Sequence, residues 1–161
     1  MTASFRSMKR LFTTNMSESE LIQLYSKRIL ALAAAIPHLG RLPAPMGSAS
    51  RRAPLCGSTI TVDVTLAEGR VSDFAQDVKA CALGQASAAI LGGVVIGLGR
   101  DQIAEGRAAL AALLAGQAPA LPAPFDGLAV LAAARDYPNR HASILLAYDA
   151  TLDAIDAAQS Q

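Results

Sequence analysis

The sequence predicts an α+β fold, a small antiparallel sheet of about three strands packed against helices on one side. Three observations carry this expectation. Residues Thr59 to Leu66 alternate apolar and polar side chains at the period of a strand. Glu68-Gly69 supplies a turn, after which a second apolar-rich stretch can return antiparallel to the first. The remaining long segments carry apolar residues at helical spacing. Strands are grouped rather than interleaved with helices, the pattern of segregated α+β architecture.

Composition fits one such domain. The chain has 161 residues, 52% of them hydrophobic but only 4% aromatic and 17% charged, and alanine alone accounts for 34 positions. That is a helix-rich globular composition, not a disordered one. A formal net charge of +1 argues against a basic nucleic-acid binder. Two cysteines cannot build a secreted disulfide framework, so a reducing compartment, the cytoplasm, is expected and the thiols read as free or metal-bound. Ala80 to Gly99 is twenty residues long without a formal charge, close to a membrane-spanning length. Its five glycines, with Cys81, Gln85 and Ser87, supply too little transfer energy for a span, so a buried helix and no membrane partner are expected.

In chain order, residues 1–15 are basic, contain no acidic residue and read as a tail, and the apolar run there is too short for a secretion signal. Met16 precedes Ser17-Glu18-Ser19-Glu20, a helix-capping pattern, so the folded part, and an alternative start of translation, is placed there, with 16–161 as a single domain. Leu21, Leu24, Tyr25, Ile29, Leu32 and Ile36 give the first helix, Glu20 to Ile36, which Pro37 stops. Pro37 to Pro54 holds four prolines and two glycines and reads as a long ordered loop or arm, its Arg51-Arg52 pair either solvated or a docking feature. Thr59 to Leu66 and Val71 to Val78 form the hairpin. Asp63, Asp73 and Asp77 then belong to its solvated face, which leaves an independent hydrolase or transferase without a carboxylate pair. Helices follow from Cys81 to about Gly97, from Asp101 to Leu114 and, briefly, from Leu128 to Arg135. The last helix, Asn139 to Ala158, carries a stripe of His141, Leu145, Tyr148, Leu152 and Ile155. No internal repeat, P-loop, dinucleotide fingerprint or Ser/His/Asp order is present in the sequence.

The hairpin itself points to chemistry. Cys56 lies as far before the Glu68-Gly69 turn as Cys81 lies after it, so antiparallel pairing brings the two thiols together. Cys81 stands where a strand hands over to a helix, a position whose dipole favours a thiolate. Gly57 leaves room beside Cys56 for close backbone approach. Both cysteines can equally be small buried apolar residues. A tetrahedral N/S site needs four ligands, or three with an exchangeable position. The chain offers only His38, in a loop and read as a surface residue, and His141, which opens the last helix as either a core residue or a ligand. Ser58 and Ser143 are poor metal ligands.

Four stretches carry a resemblance: Pro54-Leu55-Cys56-Gly57, Lys79-Ala80-Cys81-Ala82, Leu131 to Arg140 with its Asp136-Tyr137-Pro138 centre, and Ala147-Tyr148-Asp149-Ala150. In this order they resemble the IscU/SufU/NifU-type proteins of iron-sulfur cluster assembly, over about Leu24 to Ile155. The Asp101 to Leu114 helix and the Tyr-Pro-x-Arg segment look more like the SufU branch. The resemblance implies a non-enzymatic scaffold or sulfur- or iron-transfer protein, with a cysteine desulfurase as partner and iron, a [2Fe-2S] cluster or Zn2+ as what it binds. It also implies a site of three cysteines and an aspartate. Cys56 and Cys81 match; Ser58 stands at the aspartate position, and an ungapped register supported by Pro138, Arg140, Asp149 and Ala150 puts Ser143 at the third cysteine. A one-residue slide would instead set His141 on the family's histidine and Ala142 on its cysteine.

Serine cannot carry a persulfide, so the resemblance leaves two readings. In the first, Cys56 and Cys81 bind metal or a labile cluster with His141 as auxiliary. In the second, the chain has lost the chemistry and acts as a protein-binding modulator of a cysteine desulfurase. A homodimer pooling Cys56 and Cys81 from each chain is another route to four thiolates, for which the sequence itself gives no support.

Overall fold

The computed structural model describes residues 18–160, so the expectations for residues 1–15 and for Met16 lie outside the described residues. In chain order it contains helix α1 (Glu18–Ala33), strands β1 (Gly47–Arg52), β2 (Thr59–Ala67) and β3 (Arg70–Lys79), helices α2 (Ala82–Gly92) and α3 (Arg100–Leu114), 3-10 turns over Phe125–Asp136 and Pro138–Arg140, and helix α4 (His141–Gln159). The three strands form one antiparallel sheet in the order β1-β2-β3. The α+β architecture expected from the sequence is the one found.

The hairpin pairs Thr59 with Lys79 and Ile60 with Val78, with one irregularity between Thr65 and Leu66. Ile60, Val62, Val64 and Phe74 are buried, in one core with Leu91, Phe125, Leu131, Tyr148 and Ile155. Helix α4 crosses β1 and β2, α2 packs between α1 and α4, and α3 lies against α4 and the 3-10 segment. Ion pairs from Arg100 to Asp156 (2.6 Å) and Arg107 to Asp149 (2.8 Å) tie α3 to α4.

Four sequence expectations change. The Pro37 to Pro54 arm contains β1, which no alternation of large side chains announces, because Gly47 starts β1 against the α4 backbone, where an added Cβ would collide with Ala154 and Ala158. Arg51 of that strand pairs with Asp153 of α4 at 2.6 Å. Asp63 is not on a solvated face. Its side chain is fully buried under the 37–46 segment, with Arg41 Nε at 2.7 Å, the Ser48 hydroxyl at 2.6 Å and the Leu42 N–H at 3.0 Å all donating to it. Asp73 and Asp77 are exposed as expected.

The helix after Cys81 ends at Gly92, not Gly97. Gln76 fills the space beside Gly92, donating from Nε2 to the carbonyls of Ala88 and Pro37 (both 3.1 Å). The chain then turns back so that Gly97 N–H and Val71 N–H bond to Val71 O and Leu98 O. On α4 the buried face is Ile144, Ala147, Tyr148, Thr151, Ala154 and Ile155, while His141, Leu145 and Leu152 flank it. Small side chains face the sheet because the helix lies so close to it. The expected stripe therefore holds at Tyr148 and Ile155 and falls on the flank at His141, Leu145 and Leu152. No helix among the described residues is long and apolar enough to cross a membrane.

Candidate functional site

The site is built where the open end of the hairpin meets the start of α4. Residues 53–58 form a tight turn closed by Gly57 N–H to Ala53 O (2.9 Å) and Ala53 N–H to Ser58 O (2.8 Å). Gly57 adopts φ +70° with open space around its missing Cβ, so its contribution is the left-handed backbone of the turn, and not the close approach expected. Cys56 projects from this turn. Across the hairpin, Cys81 occupies the N-cap of α2 in extended conformation, its carbonyl accepting the Gln85 N–H at 2.8 Å. The strand-to-helix hand-over expected for Cys81 is the one observed.

Ser58 and Ser143 join the thiols. Cys56 Sγ lies 3.2 Å from Ser58 Oγ, Ser58 Oγ 2.8 Å from Ser143 Oγ, and Ser143 Oγ 3.6 Å from Cys81 Sγ. The mirrored spacing of the two cysteines thus does bring them to one site. Both serines are buried, whereas both cysteines are partly exposed, so the hydroxyls form a floor under a rim of sulfur. The Cys56 thiol is held below its usual range, first by the Ser58 hydroxyl, then by the Ser58 N–H, against the opposing effect of burial, with smaller contributions from the Ser143 hydroxyl and the Arg140 charge. In the thiolate state Ser58 is therefore the donor and Cys56 the acceptor.

His141 does not close this chain. Its Nε2 is 2.9 Å from the Ala134 carbonyl of the 3-10 segment. Two positions apart on an α-helix point roughly 200° away from one another, so a helix that turns Ser143 inward aims His141 elsewhere. A proton on Nε2, donated to that carbonyl, leaves Nδ1 as the basic ring nitrogen. His38 is exposed, as expected, with its ring edge-on to Phe74 at 6.0 Å. Among the described residues no group of three or more His, Cys, Asp or Glu side chains is placed to hold a metal ion. Among the described residues the donor set at this rim is therefore two thiols over two neutral hydroxyls, short of the four ligands of a tetrahedral centre or a [2Fe-2S] cluster.

Three contributors escape sequence reasoning. Gly84 lets α2 reach α4, for a Cβ there would stand 2.6 Å from Ser143 Oγ and 2.9 Å from Ala80 Cβ. Ser87, one turn on, donates to Ile144 O at 2.6 Å. A glycine inside a helix is the only sequence signal for this approach, and it is silent about the partner. Arg140 bears on Cys56 through its charge, and nothing in the spacing of the two residues suggests it.

No protein-family model matches the chain, and no curated protein matches it. Solved structures do. A nitrogen-fixing NifU-like protein (N-terminal) from Brucella abortus is 40% identical, with 85% of this chain and 95% of that one covered and a TM-score of 0.81. Two further structures share the fold at lower identity. A hypothetical protein is 23% identical (83% and 98% covered, TM-score 0.74), and an iron-sulfur cluster assembly scaffold structure of the SUF system from Fervidobacterium islandicum AW-1 is 18% identical (83% and 97%, TM-score 0.72). With 40% identity over nearly the whole of the NifU-like structure, the chain belongs to the IscU/SufU/NifU-type family.

Proposed function

We propose that the chain works in iron-sulfur cluster assembly as a scaffold or a sulfur- or iron-transfer protein that carries iron or a labile cluster on Cys56 and Cys81. One observation carries this reading: the two thiols share a single unbroken line of contacts through Ser58 and Ser143, at the rim of a family fold. Cys56 ionises more readily than an ordinary thiol, since hydroxyl and backbone donors stabilise its anion. A soft thiolate pair with open positions suits iron or Zn2+ held loosely and passed on. His141 would join as an auxiliary ligand only by turning from the Ala134 carbonyl that now holds its Nε2. The role is carriage, not catalysis, and a cysteine desulfurase is the partner that supplies sulfur, in the cytoplasm.

The test is the metal and acid-labile sulfide content of protein purified without oxygen, beside Cys56→Ala and Cys81→Ala. Metal present in the wild type and lost from both variants is expected. Metal retained by either variant overturns the reading.

A second reading is favoured by the Ser58–Ser143 hydrogen bond, which fills the floor between the thiols with two groups that neither ligate metal well nor accept sulfur. In that case the chain is a retired scaffold that binds a cysteine desulfurase and modulates it. It predicts desulfurase capture on tagged protein with neither metal nor sulfide bound.

A further inference from the structure

Arg51 and Arg52 adjoin in the chain and part on the sheet. Arg51 stands opposite Ile60 and reaches Asp153 of α4 on the covered face. Arg52 stands opposite Thr59, and Thr59 opposite Lys79, so these three lie in one cross-strand row on the other face. The two rows behind it mark that face, for Ser50 bonds to Thr61 across the strands at 2.6 Å and Ser48 to Asp63 at 2.6 Å. Arg52 and Lys79 are exposed and Thr59 is half-buried. The ion pairs among the described residues take Arg41, Arg51, Arg100 and Arg107, and neither Arg52 nor Lys79. Asp77, the carboxylate of the adjoining row, acts instead on Arg41, which the Asp63 hydrogen bond and charge, and then the Asp77 charge, hold protonated.

The row ends the sheet on the thiol side. Thr59 follows Ser58, whose hydroxyl touches Cys56, and Lys79 precedes Cys81 by two positions. Arg140, also exposed, adds a charge that reaches Cys56. Two strand spacings separate Arg52 from Lys79, about 10 Å, with the tight turn on one side and the Ser50–Thr61 row on the other. Such a bounded basic row fits a small polyanion better than a long chain.

We propose that iron reaches this protein as an anionic polycarboxylate chelate, which Arg52 and Lys79 hold over Thr59 beside the two thiols. The inference rests on the carrier reading above and names the form in which the cargo arrives. Two cations flanking a hydroxyl donor match carboxylate groups in charge and in hydrogen bonding. Carboxylate oxygens are hard ligands and thiolates soft ones, so ferrous iron moves from the chelate to sulfur. The hand-over is ligand exchange. Iron–oxygen bonds break, iron–sulfur bonds to Cys56 and Cys81 form, each thiol gives its proton to a released carboxylate, and the iron stays ferrous.

The experiment is run anaerobically on the full chain with citrate as the polycarboxylate probe. Iron-free citrate should shift the backbone amide resonances of Arg52, Thr59 and Lys79, and inorganic phosphate at equal ionic strength should shift them far less. Iron uptake is then timed from ferrous citrate and from the aquo ferrous ion, and the ratio of the two rates is read. Arg52→Gln and Lys79→Gln should each lower that ratio several-fold, whereas Arg28→Gln, which removes an exposed charge from α1, should leave it unchanged. A ratio unmoved by the row variants, or moved equally by Arg28→Gln, overturns the inference, while uptake from the aquo ion keeps the carrier reading. Phosphate shifts equal to those of citrate overturn it too, since the row is then a general anion site. No iron taken from either donor overturns both.

Discussion

The hydroxyls of Ser58 and Ser143 lie 2.8 Å apart although 85 positions separate them in the chain, and each also touches a different cysteine. One residue ends the turn before β2 and the other lies in the first turn of α4. Their contact is the physical join between the two halves of the site, and its consequence for Cys56 can be measured.

Ser58→Ala removes the largest stabiliser of the Cys56 thiolate and leaves the backbone N–H. The Cys56 peptide should then alkylate several-fold more slowly than wild type at pH 7, with the midpoint of its rate-pH profile moved upward. Iodoacetamide labelling followed by peptide mass spectrometry reads this directly. An unchanged profile would mean that the hydroxyl does not stabilise the anion.

Gly84→Ala should destabilise the protein despite the usual helical advantage of alanine, about 0.5–1 kcal/mol. The new methyl would meet Ser143 Oγ at 2.6 Å, Ala80 Cβ at 2.9 Å and the Ser143 carbonyl at 3.2 Å. Overpacking of that kind costs about 1–3 kcal/mol, so the net sign is a loss. Urea unfolding measures it, and the Cys56 labelling profile should shift as Ser143 is pushed from its place.

Asp63 predicts a pH dependence with a definite sign. Burial raises its carboxyl, but hydrogen bonds from Arg41, Ser48 and the Leu42 N–H and the charge of Arg41 outweigh that, and the net direction is downward. Its contribution is therefore fully present above the unfolded carboxylate range near about pH 4 and fades as pH falls through the lower folded value. Asp63→Asn should be less stable than wild type at pH 7, and the gap should narrow under strong acid. Urea midpoints of the two proteins at neutral pH and at about pH 2, well under the ordinary carboxylate range, test it; a constant gap would refute the assignment.

Tyr148 is fully buried beside Phe125, with ring centroids 5.9 Å apart, and its hydroxyl has no hydrogen-bond partner among the described residues. Burial pushes its ionisation upward. Tyr148→Phe keeps the ring and removes the orphaned hydroxyl, so it should be neutral or raise stability by about 1 kcal/mol. Tyr148→Ala should lose about 3–5 kcal/mol by opening a cavity. Thermal unfolding of the pair separates the two contributions.

The sequence by itself determined the parts of this protein that depend on local chemistry. Alternation at Ile60, Val62 and Val64 marked the central strand, Glu68-Gly69 marked the turn, and the equal spacing of Cys56 and Cys81 about that turn placed the two thiols at one end of the hairpin. These follow from the period of a strand and the geometry of a hairpin, which neighbouring residues settle among themselves. What only the tertiary structure decided depends on a surface contributed from far along the chain. Gly47 and its strand exist as such because α4 lies against them, Asp63 is buried because the 37–46 segment covers it, and Ser143 rather than His141 faces the thiols because packing of α4 on the sheet fixes the rotation of that helix. A helix's own periodicity gives a stripe, but when small residues line the contact, the partner sets which stripe is buried.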